Sequence, residues 1–203
     1  FFFYTGEYKI ENLDNYHECM LSANTDTIEG RAYIAEKQKY CCSAMFNEIL
    51  EYQNPKTVKI VPWSFVQKLN IRLEVEGNIS PITSITGELS GVSTSRYLYS
   101  RETSGSAIVS EPFTQTGTGW QNCANSIYIF GISPADANIL KVSVKMNEEN
   151  QVFDEIQEID LSGKLKSFTS DEITLDLTLH VGKELVLNKV TIEKWEDTPE
   201  TEL

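Results

Sequence analysis

The chain has 203 residues, is 40% hydrophobic and carries a formal net charge of -13. That length holds one large or two small domains, and that apolar fraction belongs to a globular chain, not a disordered one. An acidic balance of this size argues against nucleic-acid binding, which needs clustered Lys and Arg, and no apolar run is long enough for a membrane-crossing helix.

The chain opens on Phe1-Phe2-Phe3-Tyr4, which reads as the interior of a strand. Such an opening is not a natural start, so the N-terminus is expected to be cropped, with any targeting sequence out of view. Leu13-Asp14-Asn15 predicts a turn. Ile28 to Ile34 predicts one strand with Ile28, Ala32 and Ile34 on one face and Tyr33 on the other. Periodicity does not decide between a short helix and a Cys-rich strand over residues 35–52. Asn54-Pro55 is turn chemistry, because the residue before proline is pushed out of helical space. Thr57 to Val66 then reads as a strand interrupted at Pro62, and a proline inside a strand belongs at an edge or a bulge. A boundary is expected there, with 1–61 an N-terminal β domain, short for a full sandwich, and 62–203 a C-terminal β-sandwich domain.

Beyond Pro62 the pattern is almost entirely strand. Leu69, Ile71, Leu73 and Val75 alternate with Asn70, Arg72, Glu74 and Glu76, the period of a half-buried strand. Gly77-Asn78 ends it, Pro81 starts a new segment, and Ile82, Ile85 and Leu89 make the next strand. Strands are expected at Arg96–Tyr99 and Ala107–Val109, with Glu102–Gly105 as a turn between them. Thr114–Gly119 reads as a loop at a sheet end. Ser126–Ile132, apolar on both faces, should be a central strand ended by Ser133-Pro134. Leu140, Val142, Val144 and Met146 alternate with polar residues. Asn147–Asn150 is a hairpin tip, followed by a strand near Val152-Phe153. Helix is confined to single turns at Pro134–Asn138 and at 161–167. Ile173, Leu175, Leu177, Leu179 and Val181 face in, while Thr174, Asp176, Thr178 and His180 face out. Gly182-Lys183 turns the chain into a last strand, Val186–Trp195, and an acidic tail follows. Seven or eight such strands predict an all-β fold, an antiparallel β-sandwich with one wet face per sheet.

Little in the chain suggests catalysis. His180 and Asp176 are four residues apart on a strand, about 13 Å, too far for a dyad. His17 and Cys19 share a polar loop but lack an orienting third group. Cys19, Cys41, Cys42 and Cys123 fit no zinc spacing and read as small buried hydrophobes. No Ser occupies a nucleophile elbow, and Gly117-Thr118-Gly119 opens no phosphate-binding helix. The Asn147–Asn150 and Asp136–Asn138 loops hold hard oxygens of the kind calcium takes, without a ligand spacing. No catalytic, cofactor or metal residues are therefore expected. Asn78-Ile79-Ser80 fits the N-glycosylation sequon, though a turn explains the Asn equally. Trp63 and Trp195 sit in strand patterns and should pack. Trp120, at a loop end, is the candidate ligand platform.

LNIRLEVEG, ITSITGELSGVS, YIFGI, ILKVSVKM and ITLDLTLHV, in that order, resemble the C-terminal domain of fimbrillin-type surface proteins of Bacteroides and its relatives. FFFY and the IEGRAYI-to-FNEIL stretch resemble the end of that family's first domain. The resemblance implies two sandwiches of transthyretin-like, Greek-key topology and a non-enzymatic fimbrial anchor or accessory subunit. It also implies export by a lipoprotein signal, a lipid anchor outside this chain, and a place at the cell surface, outer membrane or fimbrium. Arg31 and Arg96 match an Arg-centred processing site by residue type alone. The implied partners are other fimbrial subunits, joined by strand addition, with no nucleic acid and no cofactor. The edge expected to take part is the final strand, with Val186, Val190 and Ile192, or the acidic tail. The other reading is a surface glycan-binding sandwich that uses Trp120 and the Thr114–Gly119 loop.

Overall fold

The computed structural model describes residues 2–4, 8–35, 41–43, 57, 59, 63–148, 151–166, 169–181 and 186–193. The strands before residue 62 are β1 (Phe2–Tyr4), β2 (Lys9–Glu11), β3 (Met20–Ser22), β4 (Thr25–Ile28), β5 (Arg31–Ile34) and β6 (Cys41–Ser43). After it come β7 (Trp63–Ser64), β8 (Gln67–Gly77), β9 (Ile82–Val92), β10 (Ser95–Tyr97), β11 (Thr103–Ser104), β12 (Ala107–Pro112), β13 (Thr114–Gln115) and β14 (Asn122–Ile129). The chain continues through β15 (Ile139–Glu148), β16 (Gln151–Asp160), the single-turn helix α1 (Ser162–Leu165), β17 (Glu172–Val181) and β18 (Val186–Glu193).

Two large sheets face each other. One is six-stranded in the order β16-β15-β9-β12-β5-β4, the other five-stranded in the order β13-β14-β8-β17-β18. Alternation puts one face of each strand inside. Leu69, Ile71, Leu73 and Val75 from β8 and Ile173, Leu175, Leu177 and Leu179 from β17 meet Ile85, Leu89, Leu140, Val142 and Val144 from the opposite sheet, all buried in one cluster. Each such side chain contributes roughly 1.5–3 kcal/mol by leaving water. The all-β sandwich is as the sequence predicts, and most pairings are antiparallel. The central β8–β17 pair runs parallel, in register from Glu172 opposite Lys68 to Val181 opposite Gly77.

Two smaller sheets complete the described residues, in the orders β11-β10-β3-β2 and β1-β6-β7. A second apolar cluster of Leu21, Ala23, Phe65, Val66 and Phe130 lies against the first of these. Arg96 ties it together: Nη1 donates to the carbonyls of Phe65 and Phe130 at 2.9 and 3.3 Å, and Nε donates to the Arg101 carbonyl at 3.0 Å. The expected division near residue 62 falls outside the described residues. Strands on either side of it pair: β3 with β10, and β5 with β12. Pro62, Asn54-Pro55, the 44–52 stretch, Gly182-Lys183, Trp195 and the tail also lie outside the description.

Several local expectations change. Ile28–Ile34 is not one strand but part of a hairpin, β4–β5, because Glu29 and Gly30 take φ of 50° and 76° and turn the chain. Such a two-residue turn needs positive φ at both positions. Ile28 is consequently 53% exposed instead of packed. Thr103-Ser104, expected in a turn, forms β11 against β10, and the turn falls at residues 98–100. Leu98 and Tyr99 therefore leave the strand. The 122–132 segment forms β14 and stops at Ile129, one neighbour from the sheet end, with Tyr128 on its wet face. Asn147 and Glu148, expected in a hairpin tip, belong to β15, and the strand that follows is ten residues long, far beyond Val152-Phe153. The helical turn at 161–167 is present as α1, whereas Pro134–Asn138 is bends and irregular backbone.

The end of β9 is locked by a side chain. Fully buried Asn138 donates from Nδ2 to the Gly91 carbonyl at 2.8 Å, and Gly91 sits at φ 68°. A Cβ on Gly91 would come within 2.5 Å of that same Nδ2 and 2.6 Å of the Ala137 carbonyl oxygen. Gly91→Ala combines left-handed strain with this clash. It is expected to destabilise the protein by about 2–4 kcal/mol, read as a lowered urea midpoint with an unchanged m-value.

Candidate functional site: sheet edges and the wet face of the five-stranded sheet

The outward residues of β8 and β17 form a ladder of paired polar groups. Glu172 accepts from Lys68 Nζ at 3.0 Å and from Asn70 Nδ2, and Ser126 Oγ donates to Asn70 Oδ1 at 2.8 Å. The hydrogen bonds from Asn70 and Lys68 hold the Glu172 carboxyl below its ordinary value. A carboxylate stabilised in this way contributes above its unfolded pKa, and the contribution fades as pH falls through the lowered folded one. Arg72 lies 3.7 Å from Asp176. His180 Nδ1 lies 2.9 Å from Glu76 Oε2, and that pair attracts as charges only when the imidazole is protonated. The partner of His180 is thus not Asp176 but its neighbour across the parallel ladder.

Two shallow depressions of about 530 and 390 Å³ open on this face and share Arg72 and Ala124. A third space, about 440 Å³, lies beside Arg96, Gln67 and Thr103. There Gln67 Nε2 donates to Ser170 and Thr103 Oγ1 to the Ile132 carbonyl. Among the described residues no group of three or more His, Cys, Asp or Glu is placed to hold a metal ion. Asp136 is exposed, and residues 149–150 lie outside the description.

The structure separates the residues of the loop pair. Cys19 is buried and free, and burial pushes its thiol up. His17 is exposed and packs edge-on against Tyr99, with ring centroids 4.3 Å apart, and beside Tyr16. Cys123 is also free and buried, its thiol pushed up to about 12 by desolvation. These two cysteines behave as the small hydrophobes expected. Cys41 and Cys42 lie in β6, whose side chains are outside the description. Arg31 is exposed after the β4–β5 turn, whereas Arg96 is engaged as described above. Trp120 is half-buried and packs against the main core cluster, and the Thr114–Gly119 stretch beside it is exposed.

Four strands end the two large sheets: β13 and β18 in one, β4 and β16 in the other. β18 pairs with β17 alone among the described strands, Val190 standing opposite Leu177 and Ile192 opposite Leu175. A shift between Thr178 and Leu179 puts Val186 opposite His180, out of phase with the other two. β16 is an edge that the sequence reading missed. It is ten residues long, pairs with β15 alone, and carries Val152, Phe153 and Ile156 at 73%, 42% and 46% exposure. Four apolar side chains, Ile159 with these three, among otherwise polar and acidic residues were the available signal.

No model of a known protein family matches the chain, and no curated protein does. Solved structures do. A crystal structure described as a "putative adhesin" from Bacteroides ovatus matches with a TM-score of 0.52 at 15% identity, over 90% of this chain and 73% of that one. The fimbrial anchor protein Mfa2 from Porphyromonas gingivalis gives a TM-score of 0.49 at 11% identity, over 93% and 70%. A "putative cell adhesion protein" from Bacteroides eggerthii gives 0.49 at 12%, over 90% and 71%. The first likeness establishes a fold shared with that Bacteroides ovatus structure, in line with the fimbrillin-like resemblance read from the sequence.

The buried thiols make a direct prediction. In a Cys41→Ser, Cys42→Ser background, a thiol reagent at pH 8 should leave Cys19 and Cys123 largely unmodified in the native protein and label both in urea. Rapid native labelling of Cys123 would contradict its burial.

Proposed function

We propose that this chain is a non-enzymatic, adhesive or structural protein of the bacterial surface, a fimbrial anchor or accessory subunit that assembles by strand addition. The observation that carries the proposal is the pair of long edge strands, β16 and β18, each with a described partner on one side only. An unpaired strand side is a row of backbone donors and acceptors ready for another chain. Support comes also from a fold shared with an adhesin-type structure, and from a wet face whose charges pair with one another instead of converging on a reaction centre. On this reading β18, with Val186, Val190 and Ile192, takes part in subunit contact, and a lipid anchor outside this chain holds the protein at the outer membrane.

Truncation after Lys183 should abolish incorporation into fimbriae, measured by co-purification with the polymer. Thr191→Pro, which removes one backbone donor from β18 without shortening the chain, should weaken incorporation in the same direction. Normal incorporation of both variants, each checked for a cooperative unfolding transition, would end the proposal for that edge.

The glycan-binding reading retains one footing, a half-buried indole beside an exposed Thr- and Gly-rich loop. Its packing against the core predicts that Trp120→Ala costs about 1–3 kcal/mol of stability. Loss of binding on a glycan array without such a loss of stability would favour the glycan reading instead.

A further inference from the structure

We propose that β16 is an acceptor edge for an extended segment of a partner protein in which apolar residues alternate with Lys or Arg. The proposal rests on the reading of the sheet edges as assembly surfaces, and it names a second edge and the chemistry of its occupant. The edge has two properties that rarely coincide. It exposes Val152, Phe153 and Ile156, and it carries Asp154, Glu155, Glu158 and Asp160 with no basic residue. Natural edges are usually blunted by short length, charge or proline. β16 is long and has no proline, and its charges are all of one sign.

Asp160 is taken up by the fold, accepting from the Ser162 backbone N–H at 2.8 Å, whereas Asp154, Glu155 and Glu158 form no ion pair among the described residues. Lys141 stands across from Glu158 in the β15–β16 ladder, yet its ammonium lies 3.6 Å from Glu88 on β9. The side chains of Glu158 and the half-buried Glu155 have neither an ion pair nor a hydrogen bond among the described residues. Asp154 accepts from Ser143 Oγ at 2.9 Å and stands across from Lys145 in the ladder, with no ion pair between the two. A strand added beside β16 would therefore bring its outward side chains next to Asp154 and Glu158, with Val152 and Ile156 between them, and its inward ones next to Phe153 and Glu155.

The same charges reject the other occupants. A second copy could extend the sheet only with inner faces aligned, so residues of like parity would meet. Centring such a pair on Asp154 or on Glu155 opposes that residue to its own copy, and centring on Ile156 sets Asp154 against Glu158. Like charges directly opposite are destabilising. The chain's own tail carries Glu196, Asp197, Glu200 and Glu202, with no basic residue after Lys194, and meets the same repulsion. Acids that disfavour self-pairing in most registers while leaving the apolar side chains exposed select for a basic strand, which is specificity by rejection as much as by attraction.

The test uses the full chain and two ten-residue probe peptides with identical alternating Val and Ile positions, one with Lys and one with Glu between them. Fluorescence polarisation should show the Lys peptide binding about tenfold tighter or more at low salt, with a preference that shrinks toward about 0.5 M NaCl. Glu155→Lys combined with Glu158→Lys should invert the preference. A Lys peptide N-methylated at alternate residues should not bind, because strand pairing needs its backbone donors. Equal binding of the two peptides, an unchanged preference in the charge-reversed variant, or undiminished binding of the N-methylated peptide would each overturn the proposal. None of these readings depends on fimbrial assembly. Failure here leaves the role of β18 standing, and failure of the β18 truncation leaves this edge standing.

Discussion

The molecule depends on one seam, the parallel pairing of β8 with β17 beneath β9 and β15. β8 and β17 are buried at every second residue, and their parallel register sets Leu69 beside Ile173, Ile71 beside Leu175, Leu73 beside Leu177 and Val75 beside Leu179. A slip of one residue would carry every one of these chains to the wet face and bring Arg72, Asp176 and His180 inside. The polar ladder on the far side gains from the same register, since Lys68–Glu172, Arg72–Asp176 and Glu76–His180 are cross-strand neighbours only in this alignment. Burial and charge pairing specify one arrangement together.

The residues before the seam are fastened by a different means. β2 and β3 join β10, while β4–β5 extends the six-stranded sheet through a single parallel bridge between Tyr33 and Ile108. Arg96 supplies the polar connection, its guanidinium on the carbonyls just before β8 and just after β14, at one end of that antiparallel pair. A guanidinium with several donors in a fixed fork suits such a junction. Neutral replacements would leave buried carbonyls without a donor.

Much of this was legible in the chain because alternation is a local property. The buried rows of β8, β15 and β17 can be read directly from Leu, Ile and Val at every second position. Direction and neighbourhood could not be read, since nothing within β8 or β17 says that they will lie side by side and parallel. The hairpin at Glu29-Gly30 was missed because Glu at positive φ is uncommon, although the glycine after it was the signal. The partner of His180 was invisible for the same reason as the parallel pair: Glu76 is 104 positions away in sequence and adjacent in space. Among the site residues, Val190 and Ile192 stand in phase with the buried row of β17, while Val186 does not, because a bulge is no feature of composition. Beyond Val152-Phe153 the residues of β16 are mostly acidic and resemble a solvated loop, which hides the strand's length in the sequence.

The parallel direction of the central pair has a mechanical side. Tension entering ahead of Gln67 and leaving beyond Val181 pulls β8 and β17 in opposite senses along a common axis. The ten registered positions between them are then strained together in shear and not unzipped in succession. The sandwich would resist such a load as a clamp, yielding abruptly once the whole row fails.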